Sequence, residues 1–211
     1  MRLTKPRIDP TTPADWNDET RSIMHGIEGP RDHVLNIFRT LAHHPKLLKR
    51  WSVFGNHVLA RSTLPARERE LVILRTGYLC GSGYEWAQHA AIGRQAGLTD
   101  TEIERIALGL GGASAVGLGP SGWSVDDGVL LAATDQLVET KFIDDATWTQ
   151  LGARWDTQQL LDVVFTVGQY TLVSMALNTF GVQLESHTDA FPAALFVDGR
   201  FPLPSERGRP S

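Results

Sequence analysis

Three side chains in this sequence have types and spacing suited to moving protons: Glu70, Glu85 and His89. Glu85 and His89 stand four residues apart, so on a helix they share one face, which Ile92 and Ala96 continue as an apolar stripe. A carboxylate so placed can fix the orientation and tautomer of an imidazole and raise its basicity. Glu70 shares a helical face with Leu74 and Gly77 and so points toward apolar surroundings. Two carboxylates and one imidazole in a water-poor pocket would have coupled, shifted pKa values, as an acid–base site requires. The plainer alternative is a solvated ion pair on one helix and, within Arg67-Glu68-Arg69-Glu70, one more charge on a wet face. Spacing alone leaves both open.

The apolar periodicity predicts the helices that would carry these groups. Pro65, preceded by Ser62 and Thr63, opens a helix over 65–79 that bears Glu70. Cys80-Gly81-Ser82-Gly83 interrupts it, because two glycines so close together disfavour continuous helix. A helix over 84–96 then bears Glu85 and His89 and ends at Gly97, a left-handed cap. Thr99 and Glu102 form a capping box for a further helix reaching residue 110.

Upstream, residues 1–32 read as an extended arm rich in Pro, Asp and Thr, with a helical turn around 16–27. Helices over 33–41 and from Pro45 to residue 58 follow. Beyond a glycine-rich linker at 111–124, helices are expected over 125–140, 144–153 and 157–180, with Asp144 and Thr157 as N-caps. No strand-period run stands out, so the expected fold class is all-α, with one helical domain over 33–185. In the tail, 186–211, Phe191, Leu195, Phe196 and Phe201 are too apolar for free solvation and are expected to pack on their own subunit or on a neighbour.

Composition narrows the function. A chain of 211 residues, 42% hydrophobic and 21% charged, is that of a globular protein with a real core, too apolar for disorder. Net charge is −4 with no basic block, so no nucleic-acid partner is expected. The N-terminus lacks a signal-like apolar stretch, and no later segment reads as a bilayer span, so no membrane association is expected and the address is cytoplasmic by default. Cys80, the single cysteine, can form neither an internal disulfide nor a CxxC dithiol and reads as a small buried residue. The histidines lack metal-ligand spacing, and GxGxxG and P-loop motifs are missing, so no metal and no cofactor are expected.

The string Glu70-Leu71-Val72-Ile73-Leu74, the interruption, Tyr84-Glu85-Trp86 and His89, then Ala91 through Gly97-Leu98-Thr99 and Glu102-Ile103, resembles the carboxymuconolactone decarboxylase family. Ile37-Phe38-Arg39-Thr40-Leu41 and His44-Pro45 resemble its N-terminal flank. The likeness is good over 33–110 and weaker to 185. It implies an alkylhydroperoxidase D-like helical bundle that works without a cofactor and assembles into homo-oligomers, trimers or hexamers, with Trp51, Trp148 and Trp155 as candidate interface residues. The thiol-dependent branch of that superfamily places a CxxC pair ahead of the histidine. Ser82 and Glu85 occupy those positions here, which disfavours a thiol peroxidase and favours the decarboxylase branch.

By that resemblance the chain is a carbon–carbon lyase acting on a small anionic lactone or unsaturated carbonyl compound. Loss of CO2 would leave a dienolate that needs stabilisation and a positioned proton. His89 would deliver or relay the proton and Glu85 orient its ring, while Glu70 would be a second acid–base group or position the substrate. Ser82, Tyr84 and the backbone N–H groups at the start of their helix could hold a carboxylate, with Trp86 beside them. Arg75 or Arg94 could neutralise a glutamate, or both could be surface residues. Tyr170 and Asn178, with Gln169, are polar positions in an apolar helix; they could line the same pocket or be satisfied core or interface groups. The stretch 159–181 loosely echoes the first half, with Asn178 where a second histidine would stand, which allows two related helical halves. An isomerase or dehydratase on the same scaffold, or a non-catalytic ligand-binding protein, are the competing readings.

Overall fold

The computed structural model describes residues 3–27, 34–111, 122–186 and 188. Those residues form α1 (Asp18–His25), α2 (Asn36–Leu41), α3 (Pro45–Asn56), α4 (Ala66–Leu79), α5 (Gly83–Gln95), α6 (Asp100–Leu108), α7 (Val125–Thr140), α8 (Asp145–Gly152) and α9 (Thr157–Phe180), and no strand. The all-α expectation holds.

Helix α4 is the axis. Every side chain from Glu70 to Leu79 is buried, so the helix must be enclosed on all sides, and α5, α6, α7 and α9 pack around it. Leu71 and Leu74 meet Trp86, Leu130, Leu131 and Val163 in the main core. Two smaller apolar clusters lie nearer the N-terminal helices. One joins Ile37, Tyr84, Val173 and Leu177; the other joins Met24, Val34, Ala42 and Leu48. Helix α3 runs on into a wider, π-helical turn, His57–Arg61, which packs on α9.

The α4–α5 connection is a tight reversal. Gly81 takes a φ of 65°, Ser82 N donates to Gly77 O (2.8 Å) and Gly81 N to Tyr78 O (3.0 Å). That pattern closes the C-terminus of α4, and Ser82 immediately caps α5. By contrast α9, the counterpart in the loose internal echo, runs unbroken for 24 residues.

Several expectations need correction. The N-cap of α9 is Asp156, not Thr157: its carboxylate accepts from Gln159 N at 2.9 Å, while Thr157 is the first helical residue. The described part of the N-terminal arm docks on the helices, and the helical turn expected around 16–27 is longer than one turn. Its turn is the two-turn helix α1 with Met24 fully buried, and Arg7 N donates to Phe180 O (2.8 Å). Trp155 belongs to the core, which removes it as an interface residue, whereas Trp148 is half-exposed. Helix α9 is long and apolar enough to cross a membrane by length and composition, contrary to the sequence reading; here its inner face packs on α4 and α7. Most of the linker and the apolar tail residues Phe191, Leu195, Phe196 and Phe201 lie outside the described residues.

Candidate active site

Antiparallel packing of α4 on α5 brings the three proton-moving groups together. Close approach is possible because Gly77 has no side chain: a Cβ there would lie 3.2 Å from Glu85 Cγ. His89 sits between two carboxylates, with Nδ1 2.7 Å from Glu70 Oε2 and Nε2 3.0 Å from Glu85 Oε1. All three groups are buried, Glu70 completely. Burial works against a charged ring, but Glu70 and then Glu85 outweigh it and push the His89 pKa up to about 10. At neutral pH the ring is therefore an imidazolium donating to both acids.

Tyr170 of α9 presents its ring edge-on to the imidazole, with centroids 4.9 Å apart and planes at 84°. Burial pushes its hydroxyl pKa well up, and the nearby Glu85 and Glu70 add to this, so the phenol stays protonated.

A cavity of about 360 Å³ opens onto this cluster. Its polar wall comprises Glu85, Gln88 and His89 from α5, Ser52 and Asn56 from α3, and Gln169 and Tyr170 from α9. Leu35, Phe38, Trp51, Val173 and Leu177 supply much of the apolar remainder. Glu85 and His89 line the cavity, whereas Glu70 lies behind the ring, outside its wall. Both acids therefore contact the ring, Glu85 from the cavity side, as its expected orienting role requires, and Glu70 from behind.

The other sequence-predicted site residues divide. Tyr84 lines the cavity, but its hydroxyl is committed to Glu185 Oε1 at 2.7 Å. Ser82 is fully buried as the cap of α5, its Oγ accepting from Glu85 N at 3.4 Å, and it is not part of the cavity wall. The cap takes up one of the N–H groups expected to hold an anion at that helix start. Trp86 packs in the main core near Tyr78, and Asn178 donates to Cys80 O at 3.0 Å. Neither reaches the cavity.

Arg75 is neither a surface residue nor a partner of the two glutamates; it is buried against Asp135. Arg94 pairs with Asp100 at the surface. Cys80 is half-buried rather than buried.

Sequence reasoning missed two groups. Arg69 places its Nε 3.6 Å from Glu70 Oε1, and both atoms are buried with no hydrogen-bond partner among the described residues. Adjacency to Glu70 was the only available signal. Glu185, buried, ties Tyr84, Gln88 and the backbone N–H of Asn36 together at 2.6–2.7 Å, and nothing in its local sequence announced this. Among the described residues no cluster of three or more His, Cys, Asp or Glu side chains is arranged to hold a metal ion.

The same scaffold recurs in solved structures. A peroxidase-related protein from Ralstonia eutropha JMP134, described as an alkylhydroperoxidase AhpD core, superposes with a TM-score of 0.72 at 17% identity, covering 86% of this chain and 93% of that one. A peroxidase-related protein from Silicibacter sp. TM1040 gives 0.68 at 16% identity, over 88% and 92%. The debrominase Bmp8, as a cysteine-to-alanine variant in complex with 2,3,4-tribromopyrrole, gives 0.69 at 10% identity, over 87% and 94%. At these identities the likeness establishes an AhpD-like helical bundle. No curated protein matches the chain by sequence.

Residues 45–117, which carry Glu70, Glu85 and His89, match the carboxymuconolactone decarboxylase family. Over that stretch the chain is similar to the carboxymuconolactone decarboxylase family, its fold is AhpD-like, and it lacks the CxxC pair that a thiol-dependent member needs.

Proposed function

We propose that this chain is a cofactor-independent acid–base enzyme of the carboxymuconolactone decarboxylase type, a carbon–carbon lyase acting on a small lactone or unsaturated carbonyl compound. One observation carries the reading: a buried imidazolium held between two carboxylates presents only its Glu85 side to a mostly apolar cavity. Both ring nitrogens are engaged, so the proton reaches substrate through the Glu85 carboxyl. When the C–CO2 bond breaks, its electron pair enters the conjugated carbonyl. Glu85 takes the proton of His89 Nε2 and passes it to carbon, while Glu70 keeps the ring in place; the ring then regains a proton from solvent after product leaves.

A second reading, proton transfer without CO2 loss, as in an isomerase, has its own support. Among the described residues of the cavity wall the charged groups are Glu85 and His89, with no Arg or Lys to meet a substrate carboxylate. Incubating the purified protein with unsaturated lactones in D2O separates the two. CO2 release together with deuterium incorporation supports the lyase; deuterium incorporation with carbon retained supports the isomerase. If neither occurs with any substrate offered, while the substrates still bind, a non-catalytic binding protein remains.

Assembly into homo-oligomers belongs to the same proposal. Phe54 and Phe165, in edge-to-face contact with centroids 6.1 Å apart, and Leu172 and Met175 leave an apolar surface across α3 and α9.

A further inference from the structure

Buried polar groups are normally satisfied by the protein itself, so those left open toward a cavity mark what the cavity is built to hold. Two such groups sit side by side in sequence on α9. Gln169 is 5% exposed and Tyr170 is 6% exposed, and both line the cavity. No described residue hydrogen-bonds the Gln169 carboxamide or the Tyr170 hydroxyl, and unlike the Thr166 and Ser174 hydroxyls of α9, which also find no partner among the described residues, these two groups belong to residues of the cavity wall. Val173 and Leu177 continue the stripe below them, so the two polar groups lie at one end of an otherwise apolar helix face.

The space for Gln169 is made by α3. Gly55 also lines the cavity, and a Cβ there would lie 3.3 Å from Gln169 Nε2, tighter than ordinary contact. Any other residue would press the carboxamide aside. Both groups can donate: the amide through Nε2, and the phenol because its surroundings keep it protonated. Glu85, across the cavity wall, can only accept or return a proton.

We infer that Gln169 and Tyr170 form a two-donor anchor for one oxygen of the substrate, the carbonyl that becomes an enolate. This rests on the acid–base reading above and adds the residues that orient the substrate. The anchor fixes the oxygen at α9 while proton traffic occurs at Glu85. Donors aimed at a developing oxyanion in an apolar pocket are a strong source of rate acceleration.

The test uses para-nitrophenol, a flat ring whose ionised oxygen mimics an enolate and whose visible absorption reports binding. Nitrobenzene, which lacks that oxygen, is the control. The parent protein should bind para-nitrophenol saturably, and Gln169→Leu and Tyr170→Phe should each weaken it by about tenfold, the effect of losing one hydrogen bond to a charged group. Nitrobenzene affinity should change by less than about twofold in either variant. Gln169→Glu, close in shape, should lose para-nitrophenol most severely, because a carboxylate repels the oxyanion. Gly55→Ala, which acts on Gln169 through space alone, should weaken it by about threefold.

Thermal unfolding of each variant shows whether it is folded, and if Gln169→Leu is not, Gln169→Glu and Gly55→Ala decide. No saturable binding by the parent, or unchanged affinity in folded variants at residues 169 and 170, overturns the anchor. Full turnover by His89→Ala with para-nitrophenol binding still sensitive to Gln169 would instead defeat the acid–base reading and leave the anchor standing.

Discussion

Helix α4 carries two buried charges of opposite sign, Glu70 and Arg75, and the molecule treats them differently. Arg75 is saturated: Nε and Nη2 bridge Asp135 at 2.6 and 3.0 Å, and Nη1 donates to the carbonyls of Ile106 and Ala107 at 2.9 and 3.1 Å. It is not part of the wall of the cavity beside His89, and it fastens α4 to α6 and α7. Glu70 turns one oxygen to His89 and leaves the other, 3.6 Å from Arg69, without a hydrogen bond among the described residues. The imidazole it holds leads through Glu85 to open space. A closed network gives stability, and a network left open on one side can exchange a proton with a guest.

The sharpest way to break this contrast is to remove His89. His89→Ala should lower turnover by about a thousandfold or more while the far-ultraviolet circular dichroism stays that of the parent, since acid–base groups supply about 10² to 10⁴ in rate. Retention of activity would place His89 with Arg75 as a structural group.

Arg75→Leu should do the reverse. Stranding Asp135 and two backbone carbonyls should cost about 3–5 kcal/mol of stability in urea unfolding, with kcat of the folded fraction within about twofold of the parent. Loss of kcat without loss of stability would dissolve the distinction.

Glu85→Gln should reduce turnover by about a hundredfold and also move the pH profile. The His89 pKa is raised from 6.5 to about 10, so the protonated ring and the stability it confers persist from acid through neutral pH and are lost as pH rises through about 10. Removing one of the two acids lowers that pKa, and the alkaline limb of residual activity should shift to lower pH. An unmoved limb would show that Glu85 does not act on the ring.

The smallest effect belongs to Gly77→Ala, whose added methyl would sit 3.2 Å from Glu85 Cγ. Turnover should fall by about tenfold or less with the pH profile retained, because Glu85 is displaced and not removed.

Much of the scaffold was legible because local rules fixed it. The break at Gly81, the Thr99–Glu102 capping box and the Asp144 cap are short-range devices, and each stands where the sequence places it. The Asp156 cap was misread by one residue because Asp and Thr are adjacent and both can cap. Glu70, Glu85 and His89 were found from helical spacing and motif, but Ser82 and Trp86 were assigned to the site by proximity in sequence, and Asn178 as a polar position in an apolar helix. Trp86 follows Glu85 directly, yet one step along a helix turns it about 100° into the main core.

By itself the sequence determined an all-helical chain, the faces shared by Glu85 with His89 and by Glu70 with Leu74, and the lack of a second cysteine for thiol chemistry. Tertiary structure alone decided that Glu70 stands behind the ring and Glu85 before it, that Arg75 is consumed by Asp135, and that Gln169 and Tyr170 arrive opposite from a helix about 80 positions downstream. Helical periodicity specifies which side of a helix a residue occupies, but not what the fold brings against that side. Whether a buried charge is saturated or left open depends on those distant partners.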